Sequence, residues 1–171
     1  PKWAFGVWMS RNCYMSRDEV EKVAEKLRKE KLPCDVMHID WAYCRTCDYD
    51  FEFDRERFPD VSAMSKKLLD MGIKLSAWQL PYIKETSAVY REAAEKGFLA
   101  RHEDGTVADR EAHEGVIDFS NPDAAAWYKD KLRGLLNQGI RVIKTDFGEN
   151  AQEGYRYYGA DGRDKIGRAH V

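Results

Sequence analysis

The chain has 171 residues, is 43% hydrophobic and 12% aromatic, and carries a net charge of −2. That composition describes an ordered globular protein and excludes a disordered one; the charge balance gives no reason to expect nucleic acid or an anionic membrane as partner. No apolar run approaches the ~20 residues needed to cross a bilayer, and the opening Pro1-Lys2-Trp3-Ala4-Phe5 is not a signal peptide.

Strand and helix alternate along the chain. Residues 4–9 are an aromatic-apolar run that reads as a first strand. Ser16 opens a helix as its N-cap with Glu19 at the capping-box position, and Val20, Val23, Ala24 and Leu27 follow at helical spacing to about Lys31. Leu32-Pro33 breaks it, and residues 34–39 form a second strand ending in Asp40-Trp41. After an irregular acidic loop, Pro59-Asp60 starts a helix with Met64, Leu68, Leu69 and Met71 on its apolar side and Gly72 at its end. Residues 73–78 are a third strand, running into Gln79-Leu80-Pro81-Tyr82. A helix over 87–96 precedes Gly97, and Asp104-Gly105 marks a hairpin turn within 102–106. Residues 115–119 are a short extended stretch. Asn121 caps a long helix with Pro122 in its first turn. Ala126, Trp127, Leu132, Leu135 and Leu136 give that helix its apolar face, Gly139 ends it, and 140–145 are the fourth strand.

Four β-α steps imply a parallel sheet, either open or closed into a barrel. No Gly-rich phosphate loop follows the first strand, which argues against a dinucleotide-binding half. The strand tips read Met9-Ser10-Arg11, Asp40-Trp41, Trp78-Gln79 and Lys144-Thr145-Asp146. Polar and aromatic groups collected on one rim favour an α/β barrel, which places its chemistry there. Four strands cannot close an eight-stranded barrel, so the expected fold is the first four β-α units of a (β/α)8 TIM barrel, a half-barrel fragment. It is expected to occupy residues 1–165. The chain lacks an initiator Met, so it is expected to begin mid-protein. Ile166-Gly167-Arg168-Ala169-His170-Val171 is what a common sequencing adapter encodes in one frame, so 166–171 is expected to be a non-native tail packing against nothing.

The cysteines are Cys13, Cys34, Cys44 and Cys47. Cys44 and Cys47 have C-x-x-C spacing, but no second pair completes a zinc site, and a redox pair belongs at a helix N-terminus. Loop cysteines with no shared role are the expectation, and free thiols fit a cytoplasmic home. No metal and no cofactor are expected.

The segment Lys144-Thr145-Asp146-Phe147-Gly148-Glu149 puts a cation and two carboxylates at the end of an apolar strand. Such a strand end is costly unless it serves a polar ligand. Sugars are bound by flat aromatic faces and by charged groups hydrogen-bonding their hydroxyls. Trp8, Trp41 and Trp78 fall at three strand ends, and Asp40 and Asp146 at two. In a retaining glycosidase one carboxylate attacks the anomeric carbon and a second protonates the leaving oxygen. Lys144 lies two residues before Asp146 and so points to the same side of the strand. There it could hold Asp146 ionised or bind a substrate hydroxyl.

The same segment resembles the nucleophile signature of glycoside hydrolase family 31, the retaining α-glucosidases and α-xylosidases. The resemblance runs from Phe5-Gly6-Val7-Trp8 through His38-Ile39-Asp40-Trp41, Asp50-Phe51-Glu52-Phe53-Asp54, Phe58-Pro59-Asp60, Trp78-Gln79-Leu80-Pro81-Tyr82 and Asp118-Phe119-Ser120-Asn121-Pro122 to Glu149. It implies a barrel with Asp146 as catalytic nucleophile on its fourth strand. It also implies Asp40 binding non-reducing-end hydroxyls, Trp78 lining the −1 subsite and Lys144 beside the nucleophile, with Trp41 as a further substrate contact. The rhythm of residues 50–60 is similar to the bacterial α-xylosidases, whereas 106–114 lacks the tryptophans that branch often carries. The family's acid/base Asp lies on a later strand, and nothing after Glu149 resembles that region. The expected partner is an oligosaccharide or glycoside, the fragment alone is expected to be inactive, and the oligomeric state is left open. Transglycosylase or lyase chemistry on Asp146, and a non-catalytic sugar-binding or scaffold half-barrel, are the alternatives.

Overall fold

A computed structural model describes residues 1–44, 49–109, 113–148 and 154–158. In chain order the strands are β1 (Trp8–Arg11), β2 (Val36–Ile39), β3 (Lys74–Gln79), β4 (Tyr82–Lys84), β5 (Glu114–Val116) and β6 (Val142–Thr145). The helices are α1 (Arg17–Lys29), α2 (Val61–Asp70), α3 (Ala88–Glu95) and α4 (Pro122–Asn137). Two compact units emerge: residues 1–47, 51–79 and 133–144 form one, and residues 48–50, 80–132 and 145–171 the other. No described helix is long and apolar enough to cross a membrane.

The first unit is built on a sheet of strand order β1-β2-β3-β6. β1, β2 and β3 are parallel, with His38 opposite both Ser10 and Ser76. Side chains alternate between faces. Met37, Ile39, Leu75 and Ala77 share one apolar, buried face, while Val36, His38, Lys74, Ser76 and Trp78 share the other. The strands are therefore not uniformly apolar: polar groups recur on a single face.

α1 and α2 pack together, and the residues joining them are legible. Ser16 Oγ accepts the Glu19 N–H at 3.2 Å. The Glu19 carboxylate reaches back to the Met15 N–H at 2.8 Å, one residue earlier than a simple capping box places it. Asp60 caps α2 by accepting the Ala63 N–H at 3.0 Å. Lys67 on α2 bonds Glu21 and Glu25 on α1, both at 2.7 Å. Arg28 closes the other end, donating to the Met71 and Cys34 carbonyls at 2.8 and 2.7 Å. Met64 and Leu68 are fully buried, whereas Leu69, expected on the apolar side, is exposed.

The N-terminal boundary differs from the sequence expectation. Residues Lys2–Phe5 form a 3₁₀ turn, and β1 begins only at Trp8. The Trp8 indole N–H donates to the Ala4 carbonyl at 3.2 Å, which ties that turn down. Trp8 pairs with Val36 at the start of β2, so it sits at the N-terminal edge of the sheet and not on the rim with the other strand tips.

Gly139 turns the chain from α4 into β6 with φ +95, and a Cβ there would lie 2.4 Å from Ser65 Oγ. That hydroxyl donates to the Gly139 carbonyl at 2.7 Å, so close approach and left-handed backbone both require glycine.

In the second unit β4 and β5 pair antiparallel, Ile83 facing Gly115. The bridge of Arg101 to Val107 confirms a hairpin around Asp104-Gly105, with His102 N–H donating to the Thr106 carbonyl at 2.8 Å. Asn121 Oδ1 caps α4 through the Asp123 N–H at 2.9 Å. The buried face of α4 carries Ala124, Trp127, Tyr128 and Leu135, while Ala126 and Leu136 are exposed, a shift from the face expected from spacing. Tyrosine hydroxyls staple backbone carbonyls: Tyr128 to Leu80 at 3.1 Å and Tyr155 to Asp109 at 2.7 Å. Burial holds the Tyr128 hydroxyl protonated well above its ordinary range.

Candidate active site

In the first unit, the polar face of the sheet ends in a connected set of side chains. Asp40 follows β2 directly, and its Oδ2 lies 3.0 Å from His38 Nε2 and 3.2 Å from Lys144 Nζ. His38 Nδ1 lies 2.9 Å from Ser76 Oγ, its cross-strand partner. With Ser76 donating to Nδ1, the ring presents Nε2–H to the carboxylate. Asp40 Oδ1 accepts the Trp41 N–H at 2.9 Å. Both carboxylate oxygens are thus oriented, one by two cationic or ring donors and one by backbone. Lys144 stands on β6, on the far side of β3 from β2, and its long stem spans the strand between. His38 and Ser76 are buried, while the Lys144 side chain is 43% exposed. This arrangement is buried at one end and exposed at the other.

Trp78 is the penultimate residue of β3 and is 4% exposed, whereas Trp41, in the 3₁₀ turn Trp41–Tyr43 after β2, is 43% exposed. That turn is braced by the acidic segment behind it. Arg57 donates to the carbonyls of Ala42 and Cys44 at 2.7 and 2.6 Å and to Asp54 Oδ2 at 2.9 Å. The Arg57 hydrogen bond holds the Asp54 carboxyl below the usual carboxylate range against the opposing effect of burial. Tyr43 O–H donates to Gln79 Oε1 at 2.7 Å, and its ring lies 4.5 Å from that of Phe53. The backbone carrying Asp40 and Trp41 is therefore set by side chains rather than by a regular element.

In the second unit, Asp146 stands just past the end of β6. The Phe147 N–H donates to Asp146 Oδ1 at 3.2 Å. Phe147 adopts φ +57, a left-handed conformation that a bulky residue rarely takes. The Tyr82 hydroxyl donates to the Phe147 carbonyl at 2.5 Å.

Of the residues singled out from sequence, Asp40 and Lys144 are in contact, Trp41 donates its N–H to Asp40, and Trp78 and Asp146 stand at the C-terminal ends of their strands. Glu149, Cys47 and residues 166–171 lie outside the described residues. Cys44, by contrast, is buried, and its Sγ lies 3.3 Å from the Trp41 carbonyl. Sequence reasoning missed His38, Ser76, Arg57 and Tyr82. The period-two pairs His38/Asp40 and Ser76/Trp78 were the available signal for the first two. Nothing local marks Arg57 or Tyr82.

The sequence matches the glycosyl hydrolases family 31 TIM-barrel domain over residues 1–166. It is 35% identical to the alpha-xylosidase XylQ of Lactiplantibacillus pentosus over 92% of this chain and 23% of that protein. It is 32% identical to an alpha-xylosidase of Emericella nidulans over 87% of this chain and 20% of that protein. The fold superposes on a GH31 dextranase of Flavobacterium johnsoniae complexed with glucose, at a TM-score of 0.84 and 29% identity, covering 92% of this chain and 21% of the other. A GH31 alpha-xylosidase from a soil metagenome complexed with xylose gives 0.83 and 26%, covering 92% and 24%. The chain thus spans roughly a quarter or less of the length of these relatives, and its α/β architecture is a partial TIM barrel. On that evidence the chain belongs to glycosyl hydrolase family 31.

Proposed function

We propose that this chain carries the nucleophile-bearing part of a retaining α-glycosidase acting on α-glucosides or α-xylosides. The observation that carries the reading is the charged rim of the sheet. Asp40 is held between His38 and Lys144, and Asp146 follows just past the end of β6, two residues beyond Lys144, within a chain matched to family 31. In the proposed reaction the Asp146 carboxylate attacks the anomeric carbon as the bond to the leaving oxygen breaks. A second carboxylic acid protonates that oxygen, then takes a proton from the water that hydrolyses the glycosyl ester. Asp40 and Lys144 bind hydroxyls of the sugar at the non-reducing end, Trp78 lines the −1 subsite, and Trp41 offers an exposed aromatic face.

The second carboxylic acid is assigned to a part of the full-length protein beyond these residues, so the isolated chain is proposed to be inactive. Support for the sugar class comes from the relatives named above, which are alpha-xylosidases and a dextranase. The test is kinetic, in the full-length protein. Asp146→Asn keeps the shape of the side chain and removes its charge. Turnover of an aryl α-glycoside should fall on the order of 10⁴-fold or more, as loss of a nucleophile does elsewhere, while substrate binding measured calorimetrically survives. An active Asp146→Asn protein, or turnover by the isolated chain, would refute the reading.

A further inference from the structure

The residue after Asp146 holds a strained backbone position beside the candidate chemistry. Phe147 is a bulky aromatic in left-handed backbone, φ +57, a conformation that costs an L-residue energy and that glycine adopts freely. The residue is 41% exposed. Its two peptide groups are both engaged. The N–H donates to Asp146 Oδ1 at 3.2 Å, and the carbonyl accepts the Tyr82 hydroxyl at 2.5 Å. Tyr82 is fully buried and fixed in β4, paired with Val116. The donor is therefore anchored by a sheet, and the acceptor is the carbonyl of the residue whose N–H meets the neighbouring carboxylate. Backbone strain of this kind persists only where surrounding structure over-determines it, and it clusters at functional positions.

We propose that Tyr82 is a positioning residue for the nucleophile turn: its hydroxyl holds the Phe147 peptide left-handed and so aims the Asp146 carboxylate. The proposal rests on the reading of Asp146 as nucleophile. Without the hydroxyl the ring still fills its place, but the Phe147 carbonyl loses its buried donor and the peptide can relax. Asp146 Oδ1 then loses the fixed N–H that orients it. The consequence falls on the covalent step and not on recognition of sugar hydroxyls.

The experiment compares Tyr82→Phe with the unmodified full-length protein. An activated fluoroglycoside traps the glycosyl-enzyme, and peptide mass spectrometry follows labelling of Asp146 with time. Tyr82→Phe should slow the first-order labelling rate roughly tenfold, about 1.4 kcal/mol in barrier, while the concentration giving half-saturation changes less than twofold. In a Phe147→Gly background, where left-handed backbone is free of strain, the same loss of the hydroxyl should cost less than threefold. Circular dichroism at the assay temperature establishes that each variant is folded. Labelling at the unmodified rate, a slowing accounted for by unfolded protein, or an equal tenfold cost in the Phe147→Gly background would overturn the proposal. A label on a residue other than Asp146 in the unmodified protein is a separate result: it refutes the nucleophile assignment, and the positioning role falls with it.

Discussion

Apart from the turn that carries Asp146, the two compact units use their polar side chains for opposite purposes. In the sheet unit, His38, Ser76, Asp40 and Lys144 form a connected line running from buried to exposed. In the unit built on β4, β5 and α3, polar side chains close on the unit's own backbone and helices: Tyr128 on Leu80, Tyr155 on Asp109, and Glu92 on Lys131 and Trp127. The first pattern leaves charge facing outward at a strand end, where a ligand can complete it. The second satisfies polar groups internally, which buried groups need for stability alone. What distinguishes a site from a scaffold here is where the hydrogen-bond chain ends, not how many polar residues each unit has.

If that contrast is right, substitutions along the polar line should change activity, while substitutions at packed or internally satisfied positions should change stability. The largest stability effect is expected where geometry allows least. Gly139→Ala would combine strain at φ +95 with a Cβ 2.4 Å from Ser65 Oγ, costing about 2–4 kcal/mol. Gly115→Ala places a Cβ 2.7 Å from Tyr90 Cε2, at a backbone free of strain, and should cost about 1–3 kcal/mol. Thermal unfolding of the full-length variants measures both. Equal costs would show that the left-handed backbone at Gly139 contributes nothing.

Next comes the polar line itself. Asp40→Asn loses a charge-assisted contact of about 1.5–3 kcal/mol, a fall of roughly ten- to a hundred-fold in kcat/KM, with little change in melting temperature. His38→Phe should lower kcat/KM in the same direction, and the double variant should lose less than the sum, because neighbours sharing one network are not additive. Strict additivity would mean that His38 does not act through Asp40. Ser76→Ala should show a smaller loss of the same kind.

The fold was largely legible because hydrophobic periodicity and capping residues are local. Ser16, Asp60, Ser87 and Asn121 each cap the helix they precede. The N-terminal strand was misplaced because an indole-to-carbonyl bond from Trp8 to Ala4 winds an aromatic run into a 3₁₀ turn. Trp8 consequently left the group of rim tryptophans. Leu69 and Leu136 went astray because apolar spacing on a helix does not say which edge of the stripe meets a neighbour. Among the candidate site residues, Asp40, Trp78, Lys144 and Asp146 were singled out because strand ends and the resemblance to a family signature mark them. Arg57 and Tyr82 could not. Arg57 reaches Ala42 and Cys44, 15 and 13 residues away, and Tyr82 reaches Phe147 across 65. Contacts over such separations exist only once the chain has folded.

The smallest expected effect probes the internally satisfied unit by pH. Hydrogen bonds from Lys131 and Lys96, with Trp127 adding to them, pull the Glu92 carboxyl down to about 2. A carboxyl lower in the folded than in the unfolded chain stabilises the fold above the ordinary carboxylate range, and that contribution fades as pH falls toward about 2. The group is a third exposed, so solvent screening limits the effect to about 1 kcal/mol or less. Glu92→Gln should lower the melting temperature at pH 7 and converge with the unmodified protein as pH falls through 4 and below. Activity should be unchanged. A difference that grows on acidification would reverse the sign of the linkage.

The central claim is that the strand end after β6 carries the nucleophile. The direct measurement is the site of covalent labelling in the full-length protein by a mechanism-based fluoroglycoside, read by peptide mass spectrometry. The account predicts a single glycosylated peptide with the sugar on Asp146. Label on Asp40 or Glu149, in a protein that still turns over substrate as Asp146→Asn, would contradict it.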